Sequence, residues 1–173
     1  MTNENHAVWE IYDLLRTAVL TTKYYSKEIT KLSNINLSME ILILITAPGS
    51  AVAGLWFWDT CIGAYIWRIF ISVAAITSII KVPLNFPGKI KKKEEELSSW
   101  RVLESDLREL SISIKHDKNY DEDKKNKFKV YLSRFSEIYK KEGAITVNRN
   151  LLHECEDEVK REYPLEWFYT PHD

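Results

Sequence analysis

Two long apolar runs joined by a very tight turn lie between about Ile35 and Ile80, and they limit the fold more than any other stretch of the chain. The first, Leu37 to Phe57, holds one charge, Glu40; the second, Ile62 to Ile80, holds one charge, Arg68. At about 1.5 Å of rise per residue, roughly 20 such residues cross the ~30 Å hydrocarbon core of a bilayer. Trp58-Asp59-Thr60 is too short for anything but a reversal. The pair therefore predicts a transmembrane helical hairpin over 35–82, with spans at about 37–57 and 62–80. The competing reading is a buried hairpin in a soluble protein, which requires both runs to reach span length by coincidence.

Flanking charge orients the hairpin. Lys23, Lys27 and Lys31 precede it, Lys81, Lys89, Lys91, Lys92 and Lys93 follow it, and the turn has neither Lys nor Arg. By the positive-inside rule both termini face the cytoplasm, which for a bacterial chain means a multi-pass inner-membrane protein. Trp56, Phe57, Trp58, Tyr65 and Trp67 surround the turn, as in an interfacial aromatic belt. Cys61 and Cys155 then fall on opposite sides of the membrane and cannot pair within one chain. The first 30 residues carry charges throughout and lack a compact apolar core, so the hairpin itself is expected to direct insertion.

A cytoplasmic N-terminal helix is expected over 1–34. Val8, Ile11, Leu15, Ala18, Thr22, Tyr25, Ile29 and Leu32 alternate steps of three and four, a coiled-coil stripe with Thr22 as its weak position. No Pro or Gly interrupts residues 1–47, so this helix can run into the first span as a stalk. There, small residues surround a proline. Pro48 cannot donate to the Leu44 carbonyl and predicts a kink, while Gly49 with Ala53 and Ser50 with Gly54 allow close helix approach in lipid.

In an antiparallel hairpin Arg68 lies near the depth of Ser50, and Glu40 near Ser78 at the cytoplasmic end. A charge at the bilayer centre costs ~2.5–3.5 kcal/mol, so each needs a partner, water or a route to the interface. Snorkelling serves both. Alternatively Arg68 lines a water-filled path.

Past the hairpin, Lys81-Val82-Pro83 and Phe86-Pro87-Gly88 are expected to break the helix, and a cytoplasmic helical region, 88–173, begins near Gly88. Its Lys91-Lys92-Lys93-Glu94-Glu95-Glu96 run opposes the helix dipole and has the poorer Lys-before-Glu order. Proximity to anionic lipid, worth ~1 kcal/mol per charge, accounts for that order; an ordinary solvated charge run is the alternative. Leu97, Trp100, Leu103, Leu107, Leu110 and Ile114 form a second stripe, the natural partner of the first. Asp117 to Lys127 reads as a polar connector. A third helix places Phe128, Tyr131, Phe135 and Ile138 on one face and stops at Gly143; Asn150 caps a fourth, with Leu152, Cys155, Val159 and Tyr163 inward. Leu165-Glu166-Trp167-Phe168-Tyr169 either packs on this bundle or docks a partner. The fold class is thus an all-α membrane protein: a two-helix transmembrane hairpin with a cytoplasmic helical stalk and small helical bundle.

Chemical motifs are sparse. There is no P-loop, GxGxxG, HExxH or nucleophile elbow. His6, His116, His153 and His172 are scattered, and His153 and Cys155 sit two apart on diverging helix faces, which disfavours a metal site. With 24 Lys and Arg against 25 Asp and Glu, no net field draws the chain to nucleic acid. An enzyme, a cofactor and direct nucleic-acid binding are not expected.

The Tyr24-Tyr25-Ser26-Lys27 segment on an N-terminal helix, the minimal-turn hairpin and the lysine-flanked helical tail together resemble the SLATT family of two-transmembrane effectors of bacterial conflict systems. The resemblance covers most of residues 5–115. It implies a pore-forming or membrane-disrupting toxin of antiphage defence by abortive infection, working as a homo-oligomer. It also implies a trigger from a neighbouring gene, either a sensor protein or a nucleotide signal. Candidate pathway and packing residues are Arg68, Glu40, Pro48, Gly49, Ser50, Ala53 and Gly54, and those for stalk coupling are Tyr25, Trp100 and Leu107. Lys81, Lys89, Lys91, Lys92 and Lys93 are the candidates for lipid contact at the inner surface. The rival reading is a non-conducting anchor that presents its cytoplasmic bundle to a partner.

Overall fold

The computed structural model describes residues 7–47, 60–142 and 147–169, and among these the fold is entirely helical. Five α-helices follow one another: α1 (Val8–Ile45), α2 (Cys61–Leu84), α3 (Phe86–Asp117), α4 (Glu122–Lys141) and α5 (Arg149–Glu162), with a 3-10 turn at Leu165–Trp167. The chain divides into two compact units. One contains residues 1–27 and 93–173, the other residues 28–92.

The first unit owes its core to the two stripes. Val8, Ile11, Leu15, Ala18 and Tyr25 of α1 are buried, as are Leu97, Trp100, Leu103, Leu107, Leu110 and Ile114 of α3. Removing such side chains from water stabilises by about 1.5–3 kcal/mol each. The buried face of α1 is wider than a two-helix seam, since Tyr12, Leu14, Val19 and Tyr24 are also inside. Further elements cover it. Lys23 and Lys27 pair with Glu158, Glu162 and Glu154 of α5, and the Phe168 ring stacks on Tyr12 with centroids 4.2 Å apart. Thr22 is indeed the weak position: its Oγ1 is buried and finds no hydrogen-bond partner among the described residues.

Several boundaries differ from expectation, each for a local reason. α4 starts at Glu122, within the segment expected as a connector, because Asp121 caps it by accepting from the Lys124 N–H at 3.0 Å and Glu122 and Asp123 favour the positive end of the helix dipole. The actual connector is short, with Lys118 at φ 50°. Asn148, not Asn150, caps α5, accepting from the Leu151 N–H at 3.2 Å. α4 gives way at Glu142, while Gly143 lies outside the described residues.

In the second unit, α1 continues without a break to Ile45, and the remainder of the first expected span, with its Pro48, Gly49, Ser50, Ala53 and Gly54, lies outside the described residues. α2 has 24 residues, about 36 Å at helical rise. It does not break at Pro83, as expected from sequence, but runs through it to Leu84. Asn85 then takes a left-handed conformation, φ 42°, ψ 53°, and α3 begins at once at Phe86, two residues before the expected start at Gly88. Pro87 fits the first turn of α3, where its missing N–H has no helical acceptor to serve. Asn85 Oδ1 accepts from the Gly88 N–H at 3.3 Å. A Cβ at Gly88 would come within 2.5 Å of Asn85 Nδ2 and displace that cap.

Candidate functional site

α2 is long and apolar enough to cross a membrane, and it is the single such helix among the described residues. Of its described residues only Gly63 and Ala74 are buried. Ile62, Tyr65, Ile69, Phe70, Ile71, Val73, Ile76, Ile79, Ile80 and Val82 are all exposed. A core helix of a soluble protein buries such a surface. On α1 of the same unit Ile35, Leu37, Ile41, Leu44 and Ile45 are likewise exposed.

The two charges of the apolar runs, Glu40 and Arg68, have different surroundings. Glu40 Oε1 accepts from Lys81 Nζ at 2.9 Å and from Asn36 Nδ2 at 3.0 Å. Glu40, expected to snorkel, and Lys81, expected at the lipid surface, are thus paired directly with each other. Arg68 is exposed and meets no carboxylate among the described residues. Lys81 lies thirteen positions after Arg68, a distance of about 20 Å along the helix.

In the first unit, Tyr24-Tyr25-Ser26-Lys27 is a junction between helices. The Tyr24 hydroxyl accepts from the Asn148 N–H at 3.0 Å. Tyr25 donates to Glu142 Oε1 at 3.0 Å, and the Trp100 indole N–H donates to the same oxygen. Ser26 Oγ accepts from Arg101 at 3.4 Å. Lys27 Nζ donates to Glu154 at 2.7 Å and Glu158 at 2.6 Å. These bonds raise the Lys27 pKa, and the Lys27 ammonium holds the Glu158 carboxyl below its usual value. Four consecutive residues thus tie α1 to α3, to the end of α4 and to α5. A cavity of about 160 Å³ lies beside them, lined by Leu20, Thr21, Tyr24, Tyr25, Glu142, Val147 and Leu152.

The three residues expected in stalk coupling, Tyr25, Trp100 and Leu107, are all fully buried in this unit. Trp100 also meets Phe135 of α4 edge-on, with centroids 5.8 Å apart. Glu142 carried no sequence signal, because nothing local links position 142 to 25 and 100. Lys93 lies over the Tyr25 ring, 5.2 Å from its centroid, whereas Lys89, Lys91 and Lys92 are exposed. The C-terminal aromatics pack on the bundle: Trp167 takes Lys115 over its ring at 4.8 Å, and Tyr12 donates to the Tyr169 carbonyl. Burial of Tyr12 raises its phenol pKa to about 12.

Cys155 is buried with a thiol pushed up by burial, which makes it a core residue rather than a nucleophile. No group of His, Cys, Asp and Glu among the described residues is arranged to hold a metal ion.

Comparison of the chain with family models, with curated proteins and with solved structures finds no match.

Proposed function

We propose that this chain is a bacterial inner-membrane effector of antiphage defence. It crosses the membrane twice, keeps both termini in the cytoplasm and associates with copies of itself. Signal reception by the helical bundle then makes the membrane leaky and arrests the infected cell. One observation carries the membrane part of this reading: the apolar surface of α2, left almost wholly uncovered by its own chain, needs lipid or neighbouring subunits around it. A single hairpin cannot enclose a pore, so permeabilisation requires several subunits. Exposed Arg68, which meets no carboxylate among the described residues, then finds water along a subunit interface or reaches the outer surface. The trigger comes from a sensor protein or a nucleotide signal supplied by a neighbouring gene. The resemblance of the hairpin and its flanks to SLATT effectors supports the defence role.

A second reading, a non-conducting anchor, is favoured by the closed core of the first unit, which is a complete bundle fit to be presented to a partner. Membrane potential separates the two. Followed with a voltage-sensitive dye during induced expression together with the genomic neighbours, the native chain depolarises the cell. A chain whose two spans are replaced by unrelated apolar helices does not. Equal behaviour of the two chains supports the anchor.

A further inference from the structure

The start of α3 carries lysines that the helix itself does not use. Lys89 and Lys91 are exposed and form no ion pair among the described residues, although Glu94 and Glu95 stand three and four residues beyond Lys91. Their neighbours are otherwise engaged, Lys81 with Glu40 at 2.9 Å and Lys93 over the Tyr25 ring. Cations in a first turn also oppose the helix dipole. Their position is set by Asn85, which ends α2 and starts α3, so that Lys89 is only five residues beyond Leu84 (89 − 84). Between them lie Pro87 and Gly88, and just before them the exposed Val82 and Ile79.

We infer that the first two turns of α3 bind the headgroups of anionic phospholipid at the end of the α2 span, through Lys89 and Lys91. Two residues apart on a helix, these lysines point roughly 200° from one another. They cannot grip one compact anion together. A layer of headgroups surrounding the helix offers a phosphate to each, which is why the partner is a lipid surface rather than a soluble phosphate. The adjoining Val82 and Ile79 supply the apolar contact below that layer. The inference rests on α2 spanning the membrane, and it specifies the leaflet chemistry at one end.

The test uses the full chain in neutral detergent, with bound lipid counted by native mass spectrometry as phosphatidylglycerol or phosphatidylcholine is titrated in. About a tenfold preference for phosphatidylglycerol is expected. It should fall within about twofold of parity in Lys89→Gln/Lys91→Gln and persist in Lys89→Arg/Lys91→Arg. It should also persist in Lys127→Gln/Lys140→Gln, which removes equal charge from α4. Equal retention of the two lipids, an undiminished preference in the Gln pair, or displacement of the lipid by millimolar inorganic phosphate would overturn the inference. The readout involves no permeabilisation, so a chain that prefers anionic lipid yet never depolarises cells refutes the effector function and leaves this site standing.

Discussion

The Tyr25 hydroxyl and the Trp100 indole nitrogen donate to one and the same oxygen of Glu142. Through that oxygen the middle of α1, the first half of α3 and the C-terminal end of α4 are joined at a point. Hydrogen bonds to a charged acceptor contribute about 1.5–3 kcal/mol, and a buried donor left without a partner costs about 1–3 kcal/mol. Glu142→Ala, which strands both donors, is therefore expected to destabilise by more than Tyr25→Phe, which removes one of them cleanly. Urea unfolding of the detergent-solubilised chain, followed by tryptophan fluorescence, should place Tyr25→Phe at about 1–2 kcal/mol and Glu142→Ala about 2 kcal/mol beyond it. Equal losses would mean that the shared oxygen does not join the helices.

Leu107 is fully buried on α3, whereas Val102, one turn and a half earlier, is half exposed. Leu107→Ala should cost about 2–5 kcal/mol by transfer and cavity effects, and Val102→Ala less than about 0.5 kcal/mol. The same unfolding measurement compares them, and similar costs would contradict the assignment of the inward stripe.

Acid should loosen the corner between α3 and α4. The Lys124 ammonium, 2.8 Å from Asp117, holds the Asp117 carboxyl down at about 2, with help from His116 and Ser113. A carboxyl depressed in the folded state contributes stability that is present above its unfolded value of 3.8 and is lost as pH falls through its folded value. The melting temperature of the native chain should thus decline between about pH 4 and pH 2 more steeply than that of Asp117→Asn. Parallel profiles would show that the pair adds nothing.

The core stripes were legible because burial imposes a period of three and four on the residues that meet it: all six expected positions from Leu97 to Ile114 of α3 are inside, whereas on α1 the stripe is inside only as far as Tyr25, with Ile29 and Leu32 half-exposed. The level at which Glu40 meets α2 was legible too, since counting residues along the two runs set Glu40 near Ser78, and its partner is Lys81, three residues on. Boundaries were less so. Asn148 and Asn150 are equally good caps by type, and only the fold decides which one lies just ahead of the first helical turn. The Asp117–Lys127 run reads as a connector because its charges from Asp121 onward hide a capped helix start. Glu142 was not legible at all, because its partners lie 117 and 42 residues away in sequence and obey no local pattern.

Arg68 provides a test of the pathway. If it lines a wet interface between subunits, Arg68→Leu should lower the conductance of reconstituted chains at least several-fold while leaving their insertion unchanged, and Arg68→Lys should retain most of it. A Leu variant that conducts normally would mean that Arg68 serves only to reach the membrane surface.

Topology mapping bears on the central claim most directly. Green fluorescent protein fused to either terminus should fluoresce, and alkaline phosphatase inserted at Thr60 should be active, because two spans return both ends to the cytoplasm. If only one end fluoresces, the chain crosses once, through α2 alone, and the hairpin effector is excluded.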